Sequence, residues 1–97
     1  MLTETLRAER YPAGYQQLTV SSTAVALTVP TGASRAKISV VSNPIRYRDD
    51  GTDPTSSVGF NVPTNTIFEL YSRESLLAFK AIATGSNATL DIIYYKS

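Results

Sequence analysis

Short stretches of alternating apolar and polar residues, each closed by a turn signal, recur from Tyr15 to the end of the chain. A period of two puts every second side chain on one face of an extended strand, so the pattern confines the body of the chain to β structure. Leu18 and Val20 alternate with Gln17 and Thr19, Ser21-Ser22-Thr23 turns, and Val25, Leu27 and Val29 alternate with Ala24, Ala26 and Thr28. This predicts a hairpin with one apolar face. Pro30-Thr31-Gly32-Ala33-Ser34 makes the next turn, after which Ile38 and Val40 point inward against Lys37 and Ser39.

Val41 breaks the alternation and Ser42-Asn43-Pro44 follows. Proline cannot donate to a ladder, so a bulge or a crossing between sheets is expected there. Ile45 and Tyr47 then face inward while Arg46 and Arg48 face out, and a polar run extends to Ser57 before the short strand Val58-Gly59-Phe60. After the turn Pro63-Thr64-Asn65, Ile67, Glu69 and Tyr71 alternate with Phe68 and Leu70, which leaves the inward face of this strand open. Ser72-Arg73-Glu74-Ser75 reads as a polar connection and Leu77, Phe79 and Ala81 as a strand. Thr84-Gly85-Ser86-Asn87 then predicts a final hairpin into Ala88, Leu90, Ile92 and Tyr94.

Seven or eight such strands, with turn signals at intervals of roughly 8–12 residues, argue for a small antiparallel sandwich or barrel. The crossing at Pro44 and the long polar loop favour a jelly-roll or Greek-key path. Residues 1–14 lack strand character: Leu2 and Leu6, at i and i+4, allow a short helix that ends before Pro12, read either as a frayed terminus or as an arm that orders against a neighbouring subunit. The expected organisation is an N-terminal arm over 1–14 and one β domain over 15–97. With 97 residues there is room for one core but not for a cleft between subdomains.

Composition removes much chemistry. The absence of cysteine and histidine excludes disulfides, thiolate metal sites, the commonest general base and the Ser-His-Asp arrangement. Neither Ser-x-x-Lys nor a Gly-x-Ser-x-Gly elbow occurs. Carboxylate pairs such as Asp49 with Asp53, or Glu69 with Glu74, lack any sign of a cleft. Catalysis and a bound cofactor are therefore not expected. A net charge of +1 supplies no field to gather nucleic acid or an anionic membrane, no apolar run spans a bilayer, and the N-terminus lacks the order of a secretory signal, so synthesis in the cytoplasm is expected.

Asp49, Asp50, Gly51 and Asp53 suggest a calcium loop only superficially, because glycine is third rather than sixth and position twelve, Phe60, is not an acid. Arg46-Tyr47-Arg48 resembles a strand-clamping triplet, yet alternation turns Tyr47 away from the arginines and aspartates follow at once. Arginine–carboxylate pairing, within the loop or across an interface, uses these residues better. The six tyrosines suit either a sugar platform or a protein interface, and the interface is the less demanding use.

Three motifs in order, Thr28-Val29-Pro30-Thr31-Gly32-Ala33, then Arg46-Tyr47-Arg48-Asp49-Asp50-Gly51-Thr52-Asp53-Pro54-Thr55 with Val58-Gly59, then Ala88-Thr89-Leu90-Asp91-Ile92-Ile93-Tyr94-Tyr95, resemble a group of short tailed-phage virion structural proteins. The similarity covers about residues 25–95. It implies a non-enzymatic decoration, or cement, protein on the capsid surface that binds the major capsid protein and itself, or a neck or tail component. No nucleic acid, membrane, metal or small-molecule ligand is expected. The expected contact residues are Arg46, Arg48, Asp49, Asp50 and Asp53 in the loop, with Leu2 and Leu6 in the arm. The alternative is a glycan- or receptor-binding β module displayed on a particle.

Overall fold

The strands pair as one long hairpin folded back on itself. In the computed structural model, which describes residues 11–96, the elements are β1 (Tyr11–Val20), β2 (Val25–Ala26), β3 (Ala33–Ser42), β4 (Ile45–Arg48), β5 (Phe60–Val62), β6 (Ile67–Leu70), the helix α1 (Arg73–Ala78), β7 (Lys80–Ala83) and β8 (Ala88–Lys96). β4 pairs with β5, β3 with β6, β2 with β7 and β1 with β8, all antiparallel. The polar loop between β4 and β5 is thus the tip of the nested hairpin. Rolling this ribbon adds the pairings β3 with β8 and β4 with β7, and produces two four-stranded sheets ordered β1-β8-β3-β6 and β2-β7-β4-β5. That order is the jelly-roll sandwich, not a closed barrel.

The core lies between the sheets. Ile38, Val40, Leu90, Ile92 and Tyr94 enter it from the first sheet, Ile45, Val62, Ala81 and Ala83 from the second. Each fully buried large aliphatic contributes on the order of 1.5–3 kcal/mol. Phe68 and Leu70 turn inward while Ile67 and Tyr71 are exposed, which decides the face of β6. The Tyr94 hydroxyl donates to Gln16 Oε1 at 2.7 Å, and the same oxygen accepts the Thr28 backbone N–H at 3.1 Å. Burial pushes this phenol up to about 12.

The crossing expected at Pro44 is present. The β3–β8 register shifts between Val40 and Ser42, leaving Val41 outward, and Asn43 takes a left-handed φ of 62° with its amide on Asn87 O at 2.9 Å. One extra residue and one left-handed turn carry the chain from one sheet to the other.

Neither expected hairpin forms. β1 and β2 lie in different sheets, and so do β7 and β8. The turns at Ser21–Ala24 and Thr84–Asn87 step across the sandwich, and alternation cannot register this because both flanking strands still bury every second residue in the same core. Residues 11–14, expected in the arm, already belong to β1, opposite Tyr94 to Lys96. The segment read as a polar connection and a strand begins instead with α1. Ser72, extended at φ −143°, accepts the Ser75 N–H on its hydroxyl at 3.1 Å, and Leu76 is buried. Arg73 ties the helix to the start of β3, donating from Nη1 to Ala33 O at 2.8 Å. Leu, Ala, Arg and Glu in this segment all favour helix, and one turn suffices when packing holds it. Phe79 and Ala81 do face the core as expected.

The raised Tyr94 phenol yields a pH prediction. The unfolded chain ionises near 10 and the folded one near 12, so this contribution is complete below pH 10 and is lost as pH rises between those values. The loss amounts to roughly 2–3 kcal/mol at 1.36 kcal/mol per unit. Tyr94→Phe is expected to cost about 1 kcal/mol near neutrality, for one hydrogen bond. Chemical denaturation at stepped alkaline pH should then fall less steeply for the variant. Parallel curves would contradict the assignment.

Candidate interaction loop

Tyr47 fixes the base of the loop. Its ring enters the space between the sheets and stacks on Phe68 at 4.9 Å and on Phe79 at 5.1 Å, with Phe60 edge-on at 5.5 Å. Burial, then the charge of Asp49, raises the pKa of its phenol. Since successive strand residues alternate in direction, the inward ring sends the flanking arginines outward to the loop.

Each arginine has its own task. Arg46 reaches across the loop, donating from Nε to Ser56 O at 3.2 Å and from Nη1 to Gly59 O at 2.9 Å. Arg48 grips Asp50 through Nε and Nη2, and Asp50 Oδ1 also accepts the Thr52 N–H at 3.1 Å, closing an Asx turn. The hydrogen bond from Arg48, with that backbone donor second, holds the Asp50 carboxyl below the usual range, and the same pairing raises the Arg48 guanidinium. Asp53 pairs with Lys80 of β7 at 3.1 Å, and Asp49 accepts from the Ser75 hydroxyl of α1 at 3.1 Å. Beyond them Thr55 and Val58 exchange backbone bonds, Thr55 N–H to Val58 O at 2.8 Å and Val58 N–H to Thr55 O at 3.3 Å. Gly59 is required where the loop returns. Its φ is 143°, and a Cβ there would lie 3.1 Å from the Cβ atoms of both Arg46 and Pro54.

The expected loop residues Arg46, Arg48, Asp49, Asp50 and Asp53 are therefore gathered at one end of the sandwich, but not as one cluster. Arg46 binds carbonyl oxygens rather than an aspartate, and the three aspartates point to three different partners. Among the described residues no group of three His, Cys, Asp or Glu side chains comes together. Leu2 and Leu6 lie outside the described residues.

Two apolar side chains complete the loop and were read from the sequence only as part of a short strand. Val58 is 53% and Phe60 66% exposed, and with Tyr47, Arg48, Asp49, Asp50 and Gly59 they line an open depression of about 320 Å³. The sequence signal was an aromatic at the end of a polar loop, where burial cannot be complete. No known protein family, curated protein or solved structure matches the chain.

This arrangement predicts unequal effects for the two arginines. Arg46→Ala removes both ties to the returning limb and is expected to lower stability by roughly 1–3 kcal/mol in urea denaturation, since bonds from a charged donor exceed neutral ones. Arg48→Ala breaks an exposed pair and should cost clearly less. Equal losses would contradict the role given to Arg46.

Proposed function

We propose that the chain is a non-enzymatic structural protein of tailed-phage particles, a decoration or cement protein that seats loop 49–59 on the capsid and bridges major capsid subunits. One observation carries this reading above others. The charges of the loop are satisfied within the chain, so the loop is pre-formed, and what it offers outward is the apolar pair Val58 and Phe60 beside the Arg48–Asp50 ion pair. An exposed aromatic with an arginine beside it is the composition of an interface hot spot. A loop that is already ordered loses little entropy on docking. The motif resemblance supports the same reading, and the jelly-roll order is in keeping with it as a fold shared by capsid and lectin domains, an analogy of architecture rather than of function.

Cementing needs no chemistry. A small sandwich that contacts neighbouring capsid subunits adds area that must separate before the shell opens, and the net charge of +1 leaves no drive toward the packaged nucleic acid.

A second reading, a glycan- or receptor-binding module on the particle, draws on Tyr71. This ring is 70% exposed and has the Arg35 guanidinium 5.4 Å from its centroid, a rigid platform for a sugar.

The test is occupancy on purified particles by quantitative mass spectrometry. The wild-type chain is expected at a copy number comparable to that of the major capsid subunit. Phe60→Ala should reduce retention on particles about tenfold or more, as truncation of a hot spot worth 1.4 kcal/mol or above requires, while Tyr71→Ala leaves it unchanged. A few copies per particle would move the chain to the neck or tail. Its absence from particles would sink the virion reading, and sugar binding lost in Tyr71→Ala would install the second one.

A further inference from the structure

The edges of the two sheets are not alike. β2 has two residues, β5 three and β6 four, whereas β1, at the edge of the first sheet, has ten. Natural proteins blunt their edges by shortness, charge, proline or a bulge. β6 is short and carries Glu69. β1 has no charged residue, and its proline and bulge, at Pro12 to Gly14, protect only one end. From Tyr15 to Val20 it is regular.

The direction of its backbone groups follows from the far side of the sheet. Val40 donates its N–H to Thr66 O at 2.9 Å and accepts the Asn65 N–H at 2.8 Å, so both its groups point toward the β6 side. Along an antiparallel strand these directions alternate, which turns those of Lys37 and Ser39 toward β8. Their partners Ile93 and Asp91 point back at β3, leaving Ile92 and Leu90 to bond to β1. Across that pairing lie Gln16 and Leu18. The N–H and C=O groups of Tyr15, Gln17 and Thr19 therefore point away from the sheet. Among the described residues no backbone hydrogen bond from another segment reaches them.

We propose that β1 pairs antiparallel with β1 of a second copy about a two-fold axis at Gln17, joining two four-stranded sheets into one of eight strands. The strand is self-complementary in that register. Gln17 meets its own copy and Tyr15 meets Thr19, so three residue pairs each exchange both N–H···O=C bonds. Side chains that face each other are an aromatic with a β-branched residue, a favourable cross-strand pair, and nowhere do like charges meet. Tyr15 is already held on the outer face, its hydroxyl donating to Asp91 Oδ1 at 2.9 Å, and Gln17 Nε2 donates to the same oxygen at 3.1 Å. A closed isologous contact also uses up the edge, where a head-to-tail one would propagate. The inference goes beyond the capsid reading and does not depend on it.

The experiment is sedimentation equilibrium of the full chain over a dilution series, with amide hydrogen exchange on the same samples. A concentration-dependent dimer is expected, with the Tyr15, Gln17 and Thr19 amides slowed in step with dimer formation and those of Gln16 and Leu18 slow throughout. Gln17→Pro removes an N–H that serves no bond among the described residues, and Gln17→Lys sets like charges against each other across the axis. Both variants are expected to be folded monomers by circular dichroism, with the Tyr15 and Thr19 amides fast. A wild-type chain monomeric at every concentration would overturn the proposal. So would a dimer whose three amides exchange freely, or protection that persists in a monomer.

Discussion

The stack of Tyr47 on Phe68 and Phe79 is the contact on which the tip of the molecule depends. Tyr47 comes from the second sheet, Phe68 from the first, and Phe79 from the link between α1 and β7, so three rings join two sheets and the helix at one point. Each aromatic pair contributes on the order of 0.5–1.5 kcal/mol beyond the area it buries. The larger consequence is directional. With residue 47 committed to the core, residues 46 and 48 must point outward, and both meet the loop that follows. One guanidinium ties the returning limb and the other closes the first turn.

Electrostatics then determine what kind of surface results. Carboxylates that diverge to an arginine, a lysine and a serine do not assemble a metal site or a proton-transferring pair. They do make a stiff loop with a neutral outer aspect, from which Val58 and Phe60 project. A stiff, locally neutral tip with an apolar end suits protein contact. At the opposite margin, β1 offers backbone groups rather than side chains. The two regions differ in chemistry and do not overlap, so docking through the loop, as proposed, would leave the β1 edge free for a second copy.

The class of fold was legible from the period of two and from the turn residues, and the crossing at Pro44 was legible because proline and a broken alternation coincide there. Pairing was not. Alternation reports which side chains are buried, never which sheet buries them, so the segments on either side of Ser21–Ala24 and of Thr84–Asn87 read as hairpins although each turn spans the sandwich. α1 was hidden for a related reason: Leu77 and Phe79 mimic strand alternation, while Ser72, its cap, reads equally as loop. At the site, the sequence located the charged loop but paired Arg46 with carboxylates. Its true acceptors are backbone oxygens, which leave no trace in residue identity.

The loop must be ordered before any partner arrives, and backbone ¹⁵N relaxation of the free chain measures that directly. Amides across residues 49–59 should have order parameters close to those of β3 and β8, about 0.85 for rigid backbone. Values below about 0.6 across the loop, with the strands still rigid, would show that Arg46 and Tyr47 do not hold it and that its order must come from a partner.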